Sequence, residues 1–200
     1  MSSTLEITEA PPLWRACETR DLPLLIEALQ SSDKESRSPN EGYTPLMVCA
    51  NHTAYDLVAH LLSVGANVNA QSDGGMTALM LAMNPDEPEA PRIVAQLLAG
   101  GADVNIVTGG KNSALMEASH MGNLEILDML LAAGATVNHT NQYGETALIT
   151  ACMSRGKVEI VSRLLQAGAD RSITDVDGLT AAMTAVKYKN QAVYEFLKTQ

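Results

Sequence analysis

The chain has 200 residues, enough for one ordinary domain or two small ones, and 46% of them are apolar although there is one Trp and one Phe. A core of Leu, Ala, Val and Met suits close-packed helices better than a sheet sandwich. The formal net charge of −10 argues against nucleic acid or an anionic membrane surface as main partner, because both demand clustered Lys and Arg.

Met1 to Pro12 is polar, has no apolar run or basic cluster, and reads as a flexible tail rather than a secretory signal. Leu13 to Cys17 opens a first helix; Leu22, Leu24, Leu25, Ala28 and Leu29 give a second apolar face at helical spacing. Ser31 to Asn40 is polar and closes this pair. Thr44 then caps a helix whose first turn holds Pro45, where a missing N–H has no helical partner to lose. Tyr55 to Ser63 forms its partner, with Leu57, Val58, Leu61 and Leu62 buried, and Gly65 ends it in the left-handed conformation. A finger follows, reversing near Asp73-Gly74-Gly75. The third pair carries an insertion, Asn84 to Pro91, whose three prolines are expected to exclude helix. In the fourth, Lys111 stands where the others place Gly42, Gly75, Gly144 and Gly178. A side chain in a left-handed turn costs about 1–2 kcal/mol, which would move the turn onto Gly109-Gly110. An extra residue falls within Met153 to Gly156. A last helix, about Gln191 to Lys198, contributes Val193, Phe196 and Leu197. No segment is a run of about 18 apolar residues, so none reads as a membrane span.

These pairs are copies of one another. Thr44-Pro45-Leu46-Met47, Thr77-Ala78-Leu79-Met80, Ser113-Ala114-Leu115-Met116 and Thr146-Ala147-Leu148-Ile149 each precede a Leu-Leu pair and a Gly-Ala. Openings are spaced by 33, 36, 33 and 34 residues (44 to 77, 77 to 113, 113 to 146, 146 to 180). Each closing glycine is 12 residues from the next opening (65 to 77, 101 to 113, 134 to 146, 168 to 180). Insertions therefore fall between the apolar segments of a copy, and the glycine-to-threonine stretch must hold neighbours in register.

The pattern resembles the ankyrin repeat from about Leu13 to Leu197. That resemblance implies an all-α ankyrin-repeat solenoid of about six helix-turn-helix repeats with β-hairpin-like fingers. It would form a single domain over 13–200 behind the 1–12 tail, with capping repeats at 13–39 and 175–200 flanking 40–72, 73–108, 109–140 and 141–174. Where the family usually places a His in the opening turn, this chain has Trp14, Met47, Met80, Met116, Ile149 and Met183. An apolar row thus replaces a polar ladder and is expected in or near the core. Leu98 and Leu131 are expected to be buried between neighbouring repeats.

No catalytic constellation stands out. His52, His60, His120 and His139 show no paired metal-ligand spacing, and no Gly-x-Ser-x-Gly elbow occurs. Gly109 to Ser113 loosely matches a phosphate loop but lacks the gap between glycines; an enzyme built on it is the alternative reading. Cys17, Cys49 and Cys152 occupy small-residue positions of the repeat and read as buried hydrophobes in a reducing compartment. The expectation is therefore no catalytic residue, metal or cofactor, in a cytoplasmic protein, with the nucleus or delivery into a host cell left open.

Such a stack offers a concave face of fingertips and first helices. Register places Tyr43, His52, Met76, His120, Met121, Tyr143, Met153 and Tyr188 there, with Asn40, Glu41, Asn51, Asp73, Asn84, Asn112, Gln142, Glu145, Ser154, Val176, Asp177, Leu179 and Lys187 beside them. Tyr and Met are costly to leave bare, and aromatic anchors dominate interface energies. These eight residues are the expected binding stripe. The reading is a monomeric, non-catalytic protein–protein interaction module: an adaptor, inhibitor or effector for a protein or peptide partner with apolar anchors and some positive charge. From the resemblance alone, Asn69, Asn105 and Asn138 look like the asparagines that a hydroxylase modifies in some ankyrin repeats. The simpler reading is that they brace the finger by hydrogen bonds to backbone.

Overall fold

Hydroxyl caps set the helix starts. In this computed structural model, which describes residues 11–84, 87–153 and 158–199, Thr44, Thr77 and Thr180 each accept the N–H of the residue three further on at 3.4 Å. Ser113 and Thr146 do so at 3.3 Å. Each bond satisfies an N–H that has no partner within the helix. The helices are α1 (Pro12–Thr19), α2 (Leu22–Ala28), α3 (Pro45–Asn51), α4 (Tyr55–Ser63), α5 (Ala78–Leu81), α6 (Ala90–Ala99), α7 (Ala114–Met121), α8 (Leu124–Ala132), α9 (Ala147–Met153), α10 (Val158–Gln166), α11 (Ala181–Lys187) and α12 (Gln191–Thr199). Among the described residues there is no strand; the fingers are tight turns with one isolated antiparallel bridge, Val107 to Ser113.

The chain divides into two compact units, Met1–Ala102 with α1–α6 and Asp103–Gln200 with α7–α12. In the first, α1, α3 and α5 pack side by side and α2, α4 and α6 form a second row. In the second, α7, α9 and α11 lie beside one another, backed by α8, α10 and α12. Small buried residues such as Ala16, Cys17, Cys49, Ala50, Ala118, Ala151 and Cys152 let the first helices approach closely. Burial pushes the Cys152 thiol up to about 12. Burial, then neighbouring Cys17, raises that of Cys49 well above its ordinary value.

The Leu-Leu pairs split differently from expectation. Leu61, Leu97, Leu130 and Leu164 are fully buried, whereas Leu62, Leu98, Leu131 and Leu165 are half-buried. One step along a helix turns a side chain by roughly 100°, which carries the second leucine off the central seam. There it covers a neighbour's helix end: the Leu62 methyls lie 3.2 Å from where a Cβ on Gly100 would sit. The apolar row holds at Met47, Met80, Met116 and Ile149, which are buried, while Trp14 is half-buried and Met183 is 54% exposed. Met183 differs because α11 packs on α9 and α12 with no later first helix to cover it.

Three local features refine the sequence reading. The turn at Lys111 does not move: Lys111 takes φ 62 and donates its N–H to the Thr108 carbonyl at 2.8 Å. Thr108 and Asn112 add a backbone bond and a side-chain bond at 3.0 Å each, which hold the register against the strain. Lys111→Gly is expected to raise stability by about 0.5–1 kcal/mol, read as a higher urea midpoint. Second, Pro91 lies inside α6 rather than excluding it, because a first-turn proline forfeits no helical bond. Glu87 of the insertion accepts the Thr53 hydroxyl at 3.2 Å and lies 3.8 Å from Arg20, and Glu89 pairs with Arg92 at 3.0 Å. Third, Pro12 begins α1. Residues 1–10, Pro85, Asp86, 154–157 (which include Ser154, Arg155 and Gly156 of the segment with the extra residue) and Gln200 lie outside the described residues.

Candidate protein-binding groove

One buried side chain builds the finger of the fifth repeat. Asn141 accepts the N–H groups of Tyr143 (2.9 Å) and Glu145 (3.0 Å) with Oδ1. Its Nδ2 donates to Asn112 Oδ1 at 2.8 Å and Glu145 Oε2 at 2.7 Å. In the next finger, Asp175 Oδ1 accepts from the N–H groups of Asp177 (2.9 Å) and Leu179 (2.8 Å). Short polar side chains suit this because they reach their own backbone two residues on. The tips are then stitched together, Gln142 N–H to the Gly110 carbonyl at 3.1 Å and Val176 N–H to that of Tyr143 at 2.9 Å. The N-terminal unit repeats the stitch from Asp73 N–H to the Glu41 carbonyl at 3.1 Å.

This framework leaves two adjoining open cavities in the C-terminal unit. One, about 290 Å³, is lined by Met116, Glu117 and His120 of α7 and by Asn141 and Thr150. The other, about 150 Å³, is lined by Asp175, Asp177, Thr184, Lys187 and Tyr188. Tyr143, Glu145 and Met153 line both and form the shared wall. Tyr143 is 55% and Tyr188 50% exposed, a large aromatic area facing water on a hydrogen-bonded scaffold. Four carboxylates, Glu117, Glu145, Asp175 and Asp177, face the cavities; Lys187 pairs with Asp177 at 3.4 Å. No group of three or more His, Cys, Asp or Glu among the described residues is arranged to hold a metal. The Ser113 hydroxyl, in the loop that resembled a phosphate site, caps α7.

Of the eight stripe residues, the structure brings together His120, Tyr143, Met153 and Tyr188. Met121 ends α7, is 36% exposed, and lines neither cavity. Tyr43, His52 and Met76 belong to the N-terminal unit and are half-buried. Tyr43 donates its N–H to Ser38 Oγ at 2.9 Å; burial, then the Glu41 carboxylate, raises its phenol above the ordinary value. His52 caps the end of α3, and the Met76 N–H bonds Ser72 Oγ at 3.1 Å. Glu117, Asn141, Thr150 and Thr184 were not anticipated as site residues. Their signal was available in part: a short polar residue stands three before the turn position in Ser72, Thr108, Asn141 and Asp175.

The finger asparagines clamp the following repeat. Asn69, Asn105 and Asn138 donate Nδ2 to the carbonyls of Gly101 (3.1 Å), Gly134 (3.2 Å) and Gly168 (3.0 Å). Asn105 Oδ1 accepts the Thr136 N–H at 2.9 Å, and Asn138 Oδ1 accepts that of Asp170 at 2.8 Å. In the first repeat, which lacks this asparagine, Glu35 takes the equivalent N–H of Asn67 at 2.8 Å. Asn138→Ala is expected to cost about 1–3 kcal/mol in urea denaturation, because it leaves two backbone groups without their partner.

Among the described residues no helix is long and apolar enough to cross a membrane. Comparison with known proteins agrees with the architecture. A model of three ankyrin repeats matches residues 56–141 and 115–200, and a single ankyrin repeat model matches 41–70. Among solved structures, the complex of a predatory endopeptidase from Bdellovibrio bacteriovorus with an immunity protein contains a similar chain. It is 28% identical with a TM-score of 0.85, and the match covers 96% of this chain and 98% of that one. Capped first helices, glycine-ended second helices, asparagine clamps and matched family models together establish that this chain belongs to the ankyrin repeat family.

Proposed function

We propose that this protein acts as an inhibitor: it binds a protein partner, without chemistry of its own, through the fingertips and first helices of its C-terminal unit. The observation that supports this most is the pair of half-exposed tyrosines, Tyr143 and Tyr188, flanking Met153 on a scaffold of buried hydrogen bonds. Aromatic side chains with two rotatable bonds give large contact area at low entropy cost. Tyr43, His52 and Met76 are further partner contacts in this reading, on the N-terminal unit, and the protein is a cytoplasmic monomer. Similarity to a chain from a complex of an endopeptidase with an immunity protein favours inhibitor over adaptor or effector, and a peptidase as the partner class. The clamping role of Asn69, Asn105 and Asn138 supports a structural use of those residues rather than modification.

The test is a calorimetric titration of the protein into each endopeptidase of its source organism, with peptidase activity followed alongside. One enzyme is expected to bind stoichiometrically and lose activity. No heat and unchanged activity across the set would reject the inhibitor reading.

A further inference from the structure

We propose that the smaller cavity of the C-terminal unit receives a single basic side chain, arginine or lysine, of the protein partner; this rests on the reading of that face as the binding surface. Size comes first. At about 150 Å³ the cavity falls below the roughly 300–1,000 Å³ of small-molecule sites, which leaves room for one side chain rather than a cofactor.

Charge sets the sign. Glu145, Asp175 and Asp177 line the cavity against one cation, Lys187, which is already 3.4 Å from Asp177. Two carboxylates remain uncompensated among the described residues. An acidic anchor would be repelled by them.

An independent observation asks for a hydrogen-bonding ligand. Thr184 lines the cavity and is fully buried, yet its Oγ1 has no hydrogen-bond partner among the described residues. The equivalent hydroxyl one repeat earlier, on Thr150 of α9, closes onto its cap carbonyl at Thr146 at 2.8 Å. Buried polar atoms are seldom left unsatisfied. A hydroxyl oxygen accepts an N–H from a guanidinium or an ammonium. An apolar anchor would leave the Thr184 hydroxyl without a bond and bring no charge to Glu145 and Asp175, whose hydrogen bonds are to Asn141 and to backbone N–H groups. Tyr143, Tyr188 and Met153 meanwhile suit the aliphatic stem of a basic residue and the flat face of a guanidinium.

The probes are peptides acetyl-Gly-Gly-Xaa-Gly-Gly-amide with Xaa arginine, lysine, citrulline, norleucine or glutamate, added to protein carrying isotope-labelled methionine methyls. Arginine and lysine peptides are expected to shift the Met153 methyl saturably, and the other three to bind at least about tenfold more weakly. Thr184→Val should weaken the arginine peptide about fivefold or more while leaving the thermal midpoint unchanged or higher, since it deletes an unpaired hydroxyl. Glu145→Gln should weaken it by a similar factor. A norleucine peptide that binds as well, a Thr184→Val protein that binds equally, or no methyl shift with any peptide would overturn the proposal. Arginine discrimination without inhibition of any peptidase would sink the functional reading and leave this one standing. Inhibition without discrimination would do the reverse.

Discussion

Leu130→Ala is expected to destabilise the protein by about 2–5 kcal/mol, the range for deleting a fully buried leucine and leaving part of its cavity. Leu130 is 0% exposed on α8, the middle element of an interface with α7 and α10. The next residue provides the internal control. Leu131 is half-buried, so Leu131→Ala removes about half the transfer term and should cost about 1 kcal/mol. Because repeats contact only their neighbours, the loss at Leu130 should weaken the coupling of adjacent pairs as well as the fourth repeat itself. Chemical denaturation of both variants checks the order. Equal losses, or a larger one for Leu131→Ala, would show that the burial pattern is wrong.

The second large effect concerns binding. The triple variant Tyr143→Ala, Met153→Ala, Tyr188→Ala should reduce partner affinity beyond detection, because truncation of central aromatic anchors costs about 2 kcal/mol or more each. Tyr143 and Tyr188 are exposed at half or more of their surface, so the folded state should lose little through them. Their framework is separate from their rings: the Tyr143 N–H is held by Asn141 and its carbonyl receives Val176. Calorimetry with the endopeptidase that the titration identifies reads the affinity, and thermal melting shows whether the variant remains folded. Retained affinity in a folded variant would move the binding surface elsewhere.

Most of the fold was legible because its signals are local and recur. A hydroxyl cap, a buried first leucine and a left-handed glycine each have one physical meaning, and repetition at a near-constant interval multiplies them. Tyr55–Ser63 has the bounds that its apolar spacing predicts. What failed to show were the outcomes of competition between terms. Lys111 keeps its strained turn because two backbone bonds and the Thr108 side-chain bond outweigh a conformational cost. The burial of Leu97 over Leu98 depends on where the neighbour lies. Register set His120, Tyr143, Met153 and Tyr188 on one face, and these four line the two cavities of the C-terminal unit. Register alone could not place Glu117 or the orphaned hydroxyl of Thr184, whose status follows from a bond it fails to make on α11.

Amide hydrogen exchange, with and without the endopeptidase that the titration identifies, tests the proposed binding face most directly. Slowed exchange is expected over residues 141–153 and 175–188, the fingertips and first helices of the C-terminal unit. Protection confined to the second helices α8 and α10, with those two stretches unchanged, would contradict it.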